Sequence, residues 1–177
     1  MVRGPATHLT VVAATIIVAA LTPSGTNPSP ATAAAPPSVG QIDLTGPAGS
    51  EDFGENVWVL SNGNYVVVDE RFDDGGTADV GAVHLYDGMT NTVVSTLTGT
   101  TTDDRVGSGG VVEVGDDSFV VVSPDWDHGA ITDAGAVTWA DGTTGLTGPV
   151  TVGNSLHGTT TGDQVGRYRR VTALTNG

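Results

Sequence analysis

The residues best suited to chemistry sit in two short acidic stretches. Asp125, Asp127 and Asp133 fall within nine positions, and Asp73 and Asp79 repeat the last two at the same six-residue spacing. Carboxylates gathered on glycine-bearing loops offer the hard oxygen donors that calcium requires. Calcium is the one cofactor these residues suggest. The same residue types also close Asx-turns by accepting backbone N–H groups, which keeps a tight loop hydrated without any ion. An aromatic residue, Trp126, stands inside the first stretch, and its counterpart Phe72 comes immediately before Asp73 of the second. A ring flanked by carboxylates suits contact with a carbohydrate or a protein. Its alternative task is to plug the gap between neighbouring structural units.

Catalytic patterns are sparse. Past the amino-terminal segment only His84, His128 and His157 remain, at positions that do not correspond between repeats, and no H-E-x-x-H or G-x-S-x-G occurs. Gly107-Ser108-Gly109-Gly110 lacks the lysine and the helix of a phosphate loop, and Val112 stands where G-x-G-x-x-G needs its last glycine. Paired carboxylates such as Asp103 and Asp104 could serve a glycosidase, but neighbours within one turn are ordinarily solvated. The expectation is a protein without catalysis. Glu51, Asp104 and Asp163 recur just before an anchor glycine and are expected to bond the backbone of the following Phe-Gly or Val-Gly turn.

Those residues must be positioned by a repeated unit. Phe53-Gly54 matches Val106-Gly107 and Val165-Gly166; Tyr65–Val68 matches Phe119–Val122; Asp79–Val83 matches Asp133–Val137; Asp87-Gly88 matches Asp141-Gly142. The anchor glycines Gly54, Gly107 and Gly166 are 53 and 59 residues apart, the excess lying mainly in five extra residues of Thr143–His157. Stacked repeats tolerate insertions in turns. Each unit reads as four short strands, in the first copy Val57–Ser61, Tyr65–Asp69, Ala82–Tyr86 and Thr92–Leu97, rich in valine and punctuated by Gly, Asn and Asp. Ser61-Asn62-Gly63-Asn64 is a hairpin signal, with Gly115-Asp116-Asp117 and Asn176-Gly177 in its place later.

The comparison of copies also predicts faces. Trp58 and Leu60 pair with Val112 and Val114 while Val59 pairs with Glu113, so the Trp58/Leu60 face is the buried one. Val83 and Leu85 match Val137 and Trp139, whereas His84 matches Thr138. The second strand is apolar throughout, as a central strand covered on both sides would be. A four-stranded unit of this length that needs neighbours on both faces predicts an all-β fold of antiparallel propeller blades. The coils of a β-solenoid, the competing fold, are usually shorter and more uniform. The expected layout is a signal peptide over 1–35, a leader over 36–45, blade repeats over 46–98 and 99–157, and the start of a third over 158–177. That third copy stops inside its hairpin turn, as a fragment would.

Arg3, the apolar run Leu9–Leu21 and the A-x-A triplets Ala31-Thr32-Ala33 and Ala33-Ala34-Ala35 follow the order of a secretory signal; an uncleaved anchor is the alternative. The chain carries 20 acidic residues and 6 basic ones, none of them lysine, for a net charge of −14. That balance argues against nucleic acid or anionic lipid as a partner. Without cysteine, stability must come from packing.

Phe53-Gly54, a hairpin, Ser123-Pro124 with Asp127, and Gly135-Ala136-Val137 together resemble the FG-GAP repeat of integrin-α-type β-propellers. The stretches Leu60–Val67, Ser123–Gly129, Asp133–Trp139, Asp141–Gly145 and Asn154–Leu156 are similar to a tandem repeat of secreted bacterial haemagglutinin-like proteins, itself of unknown function. The likeness covers about residues 46–177. It implies a secreted or cell-surface scaffold that meets proteins or carbohydrates and needs further blades or subunits to close. The integrin-type calcium hairpin is shortened here to Ser61–Asn64 or Gly115–Ser118, so that family's metal ligands do not carry over. The alternatives are the accessory propeller of an extracellular hydrolase and a calcium-dependent surface-layer protein.

Overall fold

The computed structural model describes residues 8–11, 42–115, 117–167 and 171–174, the first four by their backbone. The strands are β1 (His8–Val11), β2 (Ile42–Thr45), β3 (Asn56–Val59), β4 (Tyr65–Asp69), β5 (Ala82–Tyr86), β6 (Val93–Thr98), β7 (Gly110–Val114), β8 (Ser118–Ser123), β9 (Ala136–Asp141), β10 (Gly148–Pro149) and β11 (Ser155–His157). The described residues contain no α-helix, and so none long and apolar enough to cross a membrane. The expected all-β class holds, and the expected strands of the first repeat are met within a residue or two at each end.

Each repeat makes its own antiparallel sheet. The first runs β3-β4-β5-β6 and the second β7-β8-β9-β11. Valine-rich strands alternate with tight turns because β-branched side chains pack well on a pleated surface. Between β3 and β4 the chain reverses at Gly63, whose φ is 90°, with the Leu60 N–H donating to the Asn64 carbonyl at 2.8 Å. The two sheets pack face to face over one apolar core. Val66, Val68, Val83 and Leu85 of the first sheet meet Phe119, Val121, Ala136 and Ala140 of the second. In the first sheet the predicted face is therefore the buried one, with Trp58 and Leu60 on it; in the second the same face is open, with Trp139 55% exposed.

The opposite face of the first sheet is closed by the segment that leads into it. Phe53 is buried against Tyr65, Val67 and Tyr86, and Leu44 of β2 packs on the same cluster. Tyr65 and Tyr86 stack with centroids 5.2 Å apart. The backbone of β1 pairs antiparallel with β2, so four residues of the expected signal segment carry strand structure. The rest of residues 1–41 lies outside the described residues, as do Asp116 of the second hairpin turn and Asn176-Gly177.

One element departs from expectation. The extra residues of Thr143–His157 do not all remain in a turn. Gly148 and Pro149 form β10, which pairs in parallel with β6 and adds a fifth strand to the edge of the first sheet. The Val150 N–H extends the pairing to the Thr98 carbonyl at 2.9 Å, and the Val150 side chain enters the shared core. Proline is tolerated there because an edge strand has a side that needs no donor. The second repeat thus reaches back to embrace the first.

Candidate functional site

The two acidic loops join the second and third strands of their sheets and close in the same way. In residues 70–81, Asp73 Oδ1 accepts the N–H of Asp79 at 2.9 Å, and the Gly81 N–H donates to the Phe72 carbonyl at 3.1 Å. In residues 124–135, Asp127 Oδ1 accepts the N–H of Asp133 at 2.8 Å, and the Gly135 N–H donates to the Trp126 carbonyl at 2.9 Å. Asp79 and Asp133 have φ of 51° and 50°, a left-handed conformation that aspartate tolerates better than most residues. These aspartates close loops on their own backbone, the Asx role.

Each loop is also tied to the lead segment of the following repeat. The N–H groups of Gly99, Asp103, Arg105 and Val106 donate to the carbonyls of Gly81, Ala78, Asp79 and Val80, at 3.1–3.2 Å. The N–H groups of Gly158, Gly162, Gln164 and Val165 donate to those of Gly135, Thr132, Asp133 and Ala134, at 3.0–3.2 Å. Four hydrogen bonds recur in the same order. The contact is so close that a Cβ on Gly81 or Gly135 would lie 2.2 Å from the backbone nitrogen of Val106 or Val165. Only glycine fits there, which is why the Asp-x-Gly-Ala-Val stretch repeats.

The recurrent acidic residue fastens the lead segment rather than the Val-Gly turn. Asp104 is fully buried; its Oδ2 accepts the N–H groups of Thr100 and Thr101, and its Oδ1 accepts the Thr101 hydroxyl and the Asp127 N–H. Asp163 takes the N–H groups of Thr159 and Thr160 in the same way, and those bonds hold its carboxyl below the usual carboxylate range. In the first repeat the Gly49 carbonyl accepts the Asp73 N–H instead. Sequence comparison finds the position but places the bond six residues too late, on Val106-Gly107 rather than Thr100-Thr101.

The aromatic candidates are not alike. Trp126 is only 4% exposed and belongs to the core between the sheets, so the expectation of an open ligand contact there is corrected to a plug. Its ring stacks on His128 at 6.0 Å and meets His157 at 6.3 Å, while the two imidazoles stand 4.8 Å apart. Phe72 is half-buried and lies edge-on to His84 at 6.2 Å. His84 is buried on the closed face of the first sheet among Phe53, Phe72 and Tyr86, and burial pushes its pKa down to about 4. In the sequence the histidines occupy unmatched positions of the repeat and carry no signal. His157 reaches Trp126 through β11, where it pairs with Ala136 at the foot of the loop. A signal for that grouping existed only in the strand register.

Among the described residues, the carboxylates of Asp125, Asp127 and Asp133 do not converge with oxygens within 4.8 Å of one another, nor do Asp73 and Asp79 join such a group of three. Asp125 Oδ2 accepts the Ser108 hydroxyl at 3.2 Å. The carboxylates that do converge are Asp52, Glu55 and Glu70, with Arg71 bridging to Asp52 at 3.3 Å. Burial, and then the charges of Glu55 and Asp52, raise the Glu70 carboxyl above its ordinary value. Repeat comparison did not single out this trio, because Glu70 and Glu55 correspond to Pro124 and Ser108.

The site is thus a pair of equivalent loops, each clamped between two lead segments. No curated protein matches the chain. A repeat of unknown function (DUF5650) matches it twice, over residues 59–108 and 113–167. Each matched unit runs from its hairpin to the lead segment that docks on its own loop, so the family's boundaries enclose the hydrogen-bond ladder. With more than half of its length covered by those two copies, the chain belongs to the DUF5650 repeat family.

Proposed function

We propose that the protein is a non-catalytic adhesion or interaction scaffold, exported to the cell surface, whose repeats are blades of an integrin-α-like β-propeller. The observation that carries this reading is the recurrence of one loop conformation at one edge of successive sheets, locked by the same four-bond ladder. A fold that repeats a loop at fixed offset presents several shallow contacts at once. Their combined affinity exceeds that of any one of them. The loops expose small residues, Ala78 in one and Ala130 in the other, so a broad surface can approach closely. The strongly acidic composition directs the scaffold away from nucleic acid and anionic membranes.

The test is binding of the full chain to immobilised cell-surface polysaccharides and extracellular proteins. Ala78→Arg and Ala130→Arg are each expected to weaken binding modestly. Together they should weaken it by about the product of the two, as expected when both loops engage one multivalent ligand. Binding to none of these surfaces, or a double variant that binds like the parent, would overturn the reading.

A further inference from the structure

The two sheets are equivalent in sequence but not in cover. On the first sheet, Leu85 is 1% exposed and Leu97 2%, because the second sheet lies over them. Their counterparts on the second sheet are Trp139 at 55% and Leu156 at 76%. The match is one of register. Val83 pairs with Leu97 as Val137 pairs with Leu156, and Val66 pairs with Leu85 as Val120 pairs with Trp139. Val66 has no exposure, whereas Val120 is half-exposed.

Resting on the reading of the repeats as stacked blades, we infer that this open face, centred on Val120, Val137, Trp139 and Leu156, is a docking surface for another copy of the same repeat sheet. Three observations select that occupant. The face has the chemistry of the one already covered by such a sheet. The lead segment of the next unit is already laid across it: a Cβ on Gly166 would lie 2.5 Å from Val122 and 3.1 Å from Val137, as one on Gly107 would lie 2.9 Å from Val68 and 2.7 Å from Val83. The opposite end of the stack is sealed by Leu44 and Phe53, so copies of the whole chain cannot add head to tail by the same contact. The docking sheet would present the equivalents of Phe119, Val121, Ala136 and Ala140, entering through Val165-Gly166. Large apolar surface left open between such repeats is otherwise an aggregation hazard.

The chain has no cysteine, so one introduced thiol reports cover cleanly. Val120→Cys in the full chain should label rapidly, and Val66→Cys, at the equivalent covered position, slowly. A copy of residues 109–157 inserted after Arg167 should slow labelling at position 120 on the order of 100-fold, the ratio expected when exposure requires a buried face to open. Asp at the inserted copy's equivalents of Phe119 and Val121 should restore rapid labelling. Continued rapid labelling at position 120 with position 66 protected would overturn the inference. So would loss of protection at both, since a fitting sheet does not unfold its neighbour. Concentration-dependent protection in the unextended chain, with dimers on sedimentation, would identify a second whole chain as the occupant and overturn it as well.

Discussion

Asp73 and Asp127 each spend a carboxylate oxygen on a backbone N–H six residues ahead, and that use makes a distinct prediction about substitution. Asparagine keeps the accepting oxygen and loses the charge; alanine loses both. Asp127→Asn should leave the unfolding midpoint nearly unchanged, and Asp127→Ala should cost about 1–3 kcal/mol, the range for stranding a partly buried N–H. Equal losses in the two variants, by chemical denaturation, would point to a role for the charge. His84 gives the clearest pH signal. Its folded pKa is depressed from 6.5 to about 4 by burial, so the folded state binds fewer protons than the unfolded chain between those values. Its contribution is complete above pH 6.5 and is lost as pH falls towards 4, by roughly 3 kcal/mol in all. Unfolding free energies measured from pH 7 to pH 5 should fall for the parent and fall less for His84→Gln. An equal slope in both would contradict a buried neutral imidazole. The loop aspartates were legible as turn residues, and Trp126 was legible in two ways, as an exposed contact or as a plug between units. In sequence a tryptophan between two aspartates suits either, and only the neighbouring sheet decides for the plug.

At the level of strands, the repeat itself made the faces readable. Positions apolar in both copies, such as Trp58/Val112 and Val83/Val137, lie on one side of each sheet, while Val59/Glu113 lies on the other. Period-two alternation compared across two copies removes the ambiguity that a single valine-rich strand leaves. Strand ends were found because Asn-Gly and Asp-Gly turns bound them. What escaped was β10. Gly148-Pro149 carries turn residues and no alternation, and its pairing partner β6 lies some fifty residues earlier in the other repeat. A two-residue parallel pairing has no local signature, since its register is set by where the second sheet sits on the first. The hydrogen-bond ladder between loops and lead segments was likewise invisible as bonding, although its glycines were conspicuous as matched residues.

Across the whole molecule, one core and one ladder make two repeats a single object. The core between the sheets draws side chains from both, β10 overlaps the boundary, and four backbone bonds fix the offset of each lead segment on the preceding loop. Sealing at Leu44 and Phe53 and openness at Trp139 give the stack a direction. The central claim is that successive units are held in register by close backbone contact at the loop. Gly81 and Gly63 separate that contact from ordinary glycine effects. Both have positive φ, at 74° and 90°, but a Cβ at Gly81 would meet the Val106 nitrogen at 2.2 Å, whereas one at Gly63 would meet nothing within 4 Å. Equilibrium denaturation of Gly81→Ala and Gly63→Ala in the full chain is the most direct test. Gly63→Ala should cost about 1–2 kcal/mol from its backbone conformation alone, and Gly81→Ala more than about 4 kcal/mol because the ladder must also part. Equal costs for the two substitutions would contradict the claim.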